Sequence, residues 1–512
     1  LAYAARLGLW GQGPEYPFPS RESFVSAMEA GGVAAMEVVA RDLKTLGLYT
    51  ARALSFDGVE YDVLEHALTP AQIEIYDAYA GAFRTIHHNL EAALTATGVN
   101  NASGETNASA ARASAKSRFE STKQRFFNHL LMGMKAPTII RAIKDDLAAG
   151  KACVIQVVST GESLLKRRLE TMDPEDELVE GALTPRDYVL GYLEQAFPIH
   201  AQKLVEIDGN MVAEPLRDET GALVVSREAL ALRDAAMMEL MTLAPIPSAL
   251  DQILWAFGDE AVAEVTGRSI RPLKAEDGHL FIEKRAASSN SSETQAFMDG
   301  EKEILIFSDA GGTGRSYHAA QTAKNQKRRR HYLLEPGWRA DAAIQGLGRT
   351  HRSAQVSAPF FRVCTSDVHG EKRFTSTIAK RLDQLGALTK GQRETGSQGM
   401  FREEDNLESP IARAALRGYF ADLAAGRAEA MSYESFTDWT ALRLIDKDGV
   451  LLEELPPIQR FLNRVLALPI HMQNALFAEF MRRIADQTER ARAAGTLDLG
   501  VETLRGEKIE QV

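Results

Sequence analysis

The chain has 512 residues and a mass of 56.2 kDa; it is 45% hydrophobic and 25% charged, proportions of a globular protein with room for more than one core. Its net charge of −11 is opposite in sign to that of a dedicated nucleic-acid coat protein, so any nucleic-acid contact must be local. Two cysteines, Cys153 and Cys364, exclude a disulfide framework and point to a reducing compartment, and no run approaches the roughly 20 apolar residues needed to cross a bilayer.

No basic-then-apolar leader opens the chain, and its first residue is leucine, which reads as a processed or truncated start. After "LGLWGQG" and the Pro-rich turn "GPEYPFP", the spacing of Val33, Met36, Val39, Ala40 and Leu43 predicts a helix over 23–46. A second helix is expected over 69–94. Residues 95–117 are small and polar and read as a flexible loop. A helix over 126–147 then leads into the apolar run Ala152–Val158, whose length and turn-bounded end suit a buried parallel strand. Similar runs recur at Glu303–Ser308, His331–Glu335 and Pro359–Cys364, with helical segments such as 376–385 between and after them. This alternation implies βαβ units and an α/β fold. The acidic, polar stretch 170–235 reads as an insertion, and Gly391–Ser409 as a polar break. In the tail, Ile458, Phe461, Leu462, Val465 and Leu466, then Leu476, Phe477, Phe480, Met481 and Ile484, form two helical stripes. They read first as packed core helices and second as a partner groove.

Three stretches carry chemistry. In "QGLGRTHR", placed on a helix, Gln345, Gly348, Arg349 and Arg352 fall within roughly 60° of one another, so both guanidinium forks would point one way toward a phosphate. Gly346 and Gly348 each cost about 1 kcal/mol relative to alanine, which suggests close backbone approach there; a solvated Arg-x-x-Arg face is the plainer reading. Upstream, the apolar run in "LIFSDAGGTGRS" leads straight into Gly311, Gly312, Thr313 and Gly314, where backbone amides could meet an anion or simply form a turn. It is not a Walker A loop, and no GxxxxGK[ST] frame occurs anywhere in the chain. Between them, Arg315, Lys324, Lys327, Arg328, Arg329 and Arg330 reverse the local charge, as a nucleic-acid contact or a solvated loop. No GxGxxG fingerprint supports a dinucleotide enzyme. No HExxH or Cys/His cluster supports a metal site, and His318 and His351 read as polar neighbours of the loops.

The order strand, Gly-rich loop, basic loop, strand, "EPGW", then QxxGRxxR resembles the second RecA-like lobe of superfamily-two helicases. Closer still is the strawberry notch family, which "LGLWGQG", "GGVAAMEVVARDLKTLGLYTARALSF", "LDQILWAFGDEAVAEVTGRS", "FMDGEKEILIFSDAGGTGRSYHA", "LEPGWRADAAIQGLGRTHRSAQVSAPFF" and "FLNRVLALPIHMQNALF" resemble in that order. The resemblance implies a RecA-like parallel-sheet lobe with helical insertions and a helical C-terminal region. Residues 1–56 would be the remnant of a first RecA-like lobe and 57–150 a helical connector containing the loop. Residues 151–395 would be the second lobe, with its insertion at about 170–245, and 396–512 the helical region.

The resemblance further implies an ATP-dependent helicase or translocase acting on nucleic acid, DNA in the first instance. Arg352 would be the arginine finger, Arg349 its partner and Gln345 their orienting residue. Gly312, Thr313, Gly314 and Gly348 would line the nucleotide cleft. Ser159, Thr160 and Gly161, with Arg315, Lys327, Arg328, Arg329 and Arg330, would contact nucleic acid. ATP and Mg²⁺ would require a first lobe carrying the Walker A loop and the acidic magnesium box, which this sequence lacks. The chain alone is expected to be inactive, cytoplasmic, of bacterial type and without a membrane partner. The alternative is a non-catalytic helicase-like scaffold or transcription regulator.

Overall fold

The computed structural model describes residues 7–48, 59–101, 108–171, 184–207, 210–335, 340–372 and 407–495, apart from positions 15, 276, 287 and 313. The expected helix at 376–385 and most of the polar break after it lie outside these residues. Helix α1 (Arg21–Thr45) is capped by the Ser20 hydroxyl, which accepts from the Ser23 amide. It packs Phe24 and Leu43 on Leu9, with Trp10 and Phe18 alongside.

Strand β1 (Glu60–His66) follows, then α2 (Pro70–Ala96) and the 40-residue α3 (Ser109–Ala148). Thr69 and Gln72 form a reciprocal capping box at the start of α2, with Pro70 at the first helical position. Residues 109–117, read from composition as loop, are the first turns of α3. Their alanines are helix formers, and Ala111 and Ala115 pack against the core that α2 and α3 share. Pro137 interrupts the helix's hydrogen bonding at a cost of about 3 kcal/mol in isolation. Tertiary burial outweighs it: on either side of Pro137, residues 130–136, Ile139 and Ile143 are all buried.

Next come β2 (Ala152–Gln156), α4 (Glu162–Thr171), α5 (Arg186–Gln195) and the hairpin β3 (Gln202–Ile207) and β4 (Asn210–Pro215). They are followed by α6 (Arg227–Thr242), α7 (Ala249–Phe257), β5 (Val262–Val265) and the hairpin β6 (Ile270–Lys274) and β7 (Leu280–Lys284). Helix α8 (Ser289–Asp299), β8 (Ile304–Phe307), the single turn α9 (Asp309–Gly312), β9 (Arg329–Leu333), α10 (Ala340–Leu347) and β10 (Phe360–Ser366) complete the lobe. Helices α11 (Pro410–Ala424), α12 (Tyr433–Thr440), α13 (Ile458–Val465) and α14 (Ile470–Ala493) form the C-terminal region.

Six strands make one parallel sheet in the order β1-β10-β9-β2-β8-β5. The fold is thus the expected α/β class. Alternate residues of the central strands face opposite layers. Cys153, Ile155, Ile304 and Ile306 meet α3 and α7, while Val154, Leu305 and Phe307 meet Phe297 of α8 and Tyr317. The sequence reading assigned no strand to Glu60–His66. As an edge strand with one neighbour, β1 carries charges and leaves Val63 exposed, so no apolar run announces it.

Helix α3 joins two cores. Its first half stacks Phe119, Phe126 and Phe127 on Tyr76, Tyr79 and Phe83 of α2; its second half lies on the sheet. The tail's two stripes are core, as their first reading had it. Ile458, Phe461, Leu462 and Val465 of α13 and Leu476, Phe477, Phe480 and Ile484 of α14 are buried with α11 in one cluster.

Candidate functional site

The carboxyl ends of β2 and β8 carry the Ser159–Gly161 loop and the glycine loop, at the edge where parallel sheets receive ligands, and hydrogen bonds bring "QGLGRTHR" beside the glycine loop. β8 ends in α9, and Gly314 beyond it has φ +77°, a left-handed conformation that favours glycine. Thr313 lies outside the described residues. Two hydrogen bonds, one from a side chain and one between backbones, then tie this loop to a segment about 34 residues on. The Arg349 Nη1 donates to the Arg315 carbonyl at 3.0 Å, and the Tyr317 amide donates to the Arg349 carbonyl at 2.7 Å. Arg315 itself donates to Ser291 Oγ at 2.8 Å.

The helical reading of "QGLGRTHR" requires correction. Helix α10 stops at Leu347, and Gly348 to Thr350 form a turn in which the Arg349 amide donates to the Gly346 carbonyl. The Thr350 hydroxyl, buried, donates back to the Leu347 carbonyl at 3.2 Å and also meets His331 Nδ1 at 2.8 Å. Glycines and a back-bonding threonine end the rod. The juxtaposition survives by another route: Gln345, Gly348, Arg349, His351, Arg352 and Ser353 line one hollow. Gln345 and Arg352 are exposed there, and Arg349 is half-buried. Among the described residues neither arginine has a carboxylate partner, and no carboxylate lines the hollow.

The need for glycine at 346 lies on the protein's own side. A Cβ there would sit 2.1 Å from Gln156 Nε2. Gln156 ends β2 and donates to the Ala343 carbonyl, and its Oε1 lies 3.2 Å from His331 Nε2. Burial pushes the His331 pKa down to about 3, so the ring is neutral and bridges Gln156 to Thr350. Neither Gln156 nor His331 was singled out from sequence; the only signal was a polar residue inside each of two apolar strands.

The Ser159–Gly161 loop follows β2. The amides of Val158 and Ser159 donate to Glu335 Oε2 at 2.8 and 2.9 Å, and Asn128 Nδ2 donates to Oε1 at 2.9 Å. Glu335 is buried, and burial raises its pKa despite these donors. Ser159 Oγ lies 3.3 Å from the Tyr188 hydroxyl, whose ring stacks on His129 with Arg125 over its face. Ser159, Thr160 and Gly161 are half-exposed, so their outer atoms remain available to a ligand.

The basic run is a second correction. Residues 327–330 enter β9 at its amino end, the opposite edge of the sheet. Arg329 is 1% exposed and donates to the carbonyls of Tyr317, Lys327 and Asn325 and to Asn325 Oδ1. Arg328 pairs with Glu60, Arg330 with Asp146 and Lys327 with Glu303. These four side chains staple strand ends together.

Residues 248–503 match a family model for a helicase C-terminal domain, described as the C-terminal domain on Strawberry notch homologue. Residues 1–78 match a model described as P-loop containing NTP hydrolase pore-1. The chain is similar to protein strawberry notch homolog 1 of Rattus norvegicus, at 31% identity over 98% of this chain and 45% of that protein. It is similar to protein FORGETTER 1 of Arabidopsis thaliana at 27% identity over 100% of this chain and 50% of that protein. It is also similar to protein strawberry notch of Drosophila melanogaster, at 36% identity over 52% of this chain and 18% of that protein. The chain thus spans half or less of the length of each. These relatives are animal and plant proteins and lend no support to a bacterial type. Among the described residues no helix is long and apolar enough to cross a membrane.

Proposed function

The chain belongs to the strawberry notch family, and from that premise we propose that it supplies the second-lobe side of an ATP-driven nucleic-acid translocase. The observation that carries this reading is the hollow after α10: two guanidinium groups without carboxylate partners among the described residues, one of them bonded to a glycine loop that follows a buried strand. A guanidinium left unpaired beside such a loop is suited to bidentate pairing with phosphate oxygens. Arg352, the more exposed of the two, acts as the finger on the terminal phosphate. Arg349, fixed by the Arg315 carbonyl, holds the glycine loop against the turn and adds positive field. Gln345 orients the nucleotide or the attacking water.

ATP is the substrate in this reading, and Mg²⁺ would neutralise phosphate charge from the other side. No carboxylate lines the hollow among the described residues, and in this reading the metal's ligands come from a P-loop lobe packed opposite, in the same polypeptide or a partner. Ser159, Thr160 and Gly161 contact one strand of nucleic acid, DNA in the first instance. Glu335 sets their geometry by holding the two amides at the end of β2. Closure of the two lobes around the nucleotide then moves this loop relative to the strand.

The test is turnover. The 512-residue chain alone is expected to show no nucleic-acid-stimulated ATP hydrolysis. A form that carries a P-loop lobe is expected to hydrolyse ATP, and Arg352→Lys is expected to fail there, because lysine lacks the planar fork. Undiminished turnover in the lysine variant overturns the finger assignment. A two-lobed form that binds its partners with no turnover at all leaves the scaffold reading in its place.

A further inference from the structure

A cleft of about 1020 Å³ separates α2 and α3 from the C-terminal segments that lead out of α12 and into α13. It shares no lining residue with the hollow of Arg352, and nothing in the translocase reading uses it. In a chain of net charge −11 its lining is positive. Five of its residues are Arg or Lys and three are Glu or Asp.

Each of those carboxylates is already engaged. Glu91 takes both Arg112 and Lys116. Glu120 takes Lys123 at 2.9 Å and Arg464 at 2.6 Å. Asp438 pairs with Arg84 at 2.7 Å, approached by His88 at 3.4 Å. Two cations therefore share each glutamate. Arg443 and Arg460, exposed on the facing wall, have no ion-pair partner among the described residues. Within the wall, His87 Nδ1 is buried without a hydrogen-bond partner. Burial first, then the charges of Lys123, Arg464 and Lys116, push the His87 pKa down to about 2, so the ring in this wall is neutral.

We infer that this cleft is a binding site for a ligand carrying several closely spaced phosphates. Four of its five lining cations are arginines, whose forks pair bidentately with phosphate oxygens. Ser117, Thr437, Gln459 and Asn463 add neutral hydrogen-bonding groups. Among the described residues no aromatic side chain other than histidine lines the cleft, so they offer neither a stacking platform for bases nor the apolar pockets an acidic peptide would fill. The chemistry fits the backbone of a nucleic-acid strand or a free polyphosphate. The inference rests on the cleft alone; its readout is binding, whereas the nucleotide reading is tested by turnover.

The experiment uses the 512-residue chain and two probes measured separately, a fluorescein-labelled single-stranded 20-mer by anisotropy and inorganic tripolyphosphate by calorimetry. The variant is Arg443→Glu with Arg460→Glu. Both side chains are exposed, and an unchanged thermal midpoint checks the fold. The double variant is expected to weaken one probe by about tenfold or more. For the oligonucleotide, the slope of log affinity against log salt is expected to fall by about 1.4, or ~0.7 for each lost contact with a single strand. Loss of oligonucleotide binding names a nucleic-acid backbone as the source; loss confined to tripolyphosphate names a free polyphosphate. Retention of both affinities in the double variant overturns the inference. So does competition by polyglutamate as strong as that by tripolyphosphate, which would assign the cleft to carboxylates.

Discussion

Two regions beside one parallel sheet, the amino edge and the turn after α10, carry arginines and use them in opposite ways. At the amino edge, Arg328, Arg329, Arg330 and Arg362 are met by Glu60, Asp62, Asp146 and a set of backbone carbonyls. In the turn after α10, Arg352 is exposed and, among the described residues, Arg349 meets a carbonyl and no carboxylate. Local charge therefore does not separate a scaffold arginine from a functional one. What separates them is whether the fold already supplies the acceptors. A guanidinium whose donors are satisfied internally is part of the structure; one left beside a glycine loop awaits a ligand.

The sharpest way to break this comparison is to exchange the two losses. In a two-lobed form, Arg352→Ala is expected to lower the rate of ATP hydrolysis by about 10³-fold or more, the scale of a lost arginine finger. Its stability to denaturant should stay within about 0.5 kcal/mol of the parent, as for an exposed substitution. Arg329→Ala should do the reverse in thermodynamic terms. It removes a buried side chain and strands four carbonyl or amide acceptors, so unfolding free energy is expected to fall by about 3–5 kcal/mol. Chemical denaturation of both variants beside a turnover assay checks the pair. A stable, slow Arg329 variant would place that residue at the functional edge after all.

A smaller effect sharpens the carboxyl edge itself. Gly346→Ala drives a methyl group to 2.1 Å from Gln156 Nε2, so Gln156 must move or α10 must lift. Overpacking of this kind costs about 1–3 kcal/mol. Because Gln156 is the obstacle, Gly346→Ala combined with Gln156→Ala is expected to cost less than the sum of the two single changes. That non-additivity is measurable by a double-mutant cycle. Strict additivity would mean that Gly346 is required for some other reason.

How much of this was legible in the sequence depends on the kind of residue. The central strands were readable because burial on both faces forces continuous apolar runs, as in β2 and β8. β1 was not, because an edge strand needs no such run. The start of α3 was hidden by composition: alanine and serine in "SAARASAKS" look like a loop until Phe119 and Phe126 downstream supply a core to fold against. Motif order brought Gln345, Arg349 and Arg352 together on one hollow even though the helical geometry offered for them was wrong. The basic run misled because a sequence shows cations but not their partners; Glu60 and Asp146 lie about 270 and 184 positions from the arginines they hold. Glu335, His331 and Gln156 were invisible for a related reason, being polar residues whose roles exist only once three strands lie side by side.

The last expected effect concerns that polar relay and is the most gradual. His331 is fully buried and neutral, with its pKa pushed from 6.5 to about 3 by burial. Burial acts likewise on His129, pushed to about 4, and, with neighbouring cations, on His87, pushed to about 2. A histidine depressed in this way stays unprotonated in the folded chain while the unfolded chain takes up a proton below its ordinary pKa. Its contribution to stability is therefore complete above about pH 6.5 and is lost as pH falls toward the depressed value. The slope is at most about 1.4 kcal/mol per pH unit for each group. Denaturation curves between pH 7 and 4.5 should show stability falling with acid. His331→Asn, which keeps a hydrogen-bonding side chain that does not titrate, should make that slope measurably shallower. Because the same substitution loosens the link between Gln156 and Thr350, it should also weaken the hold on the turn that carries Arg349, lowering turnover in a two-lobed form less than Arg352→Ala does. An acid slope unchanged by His331→Asn would mean that the relay takes up a proton in the folded chain, and that a charged ring sits beneath the functional edge.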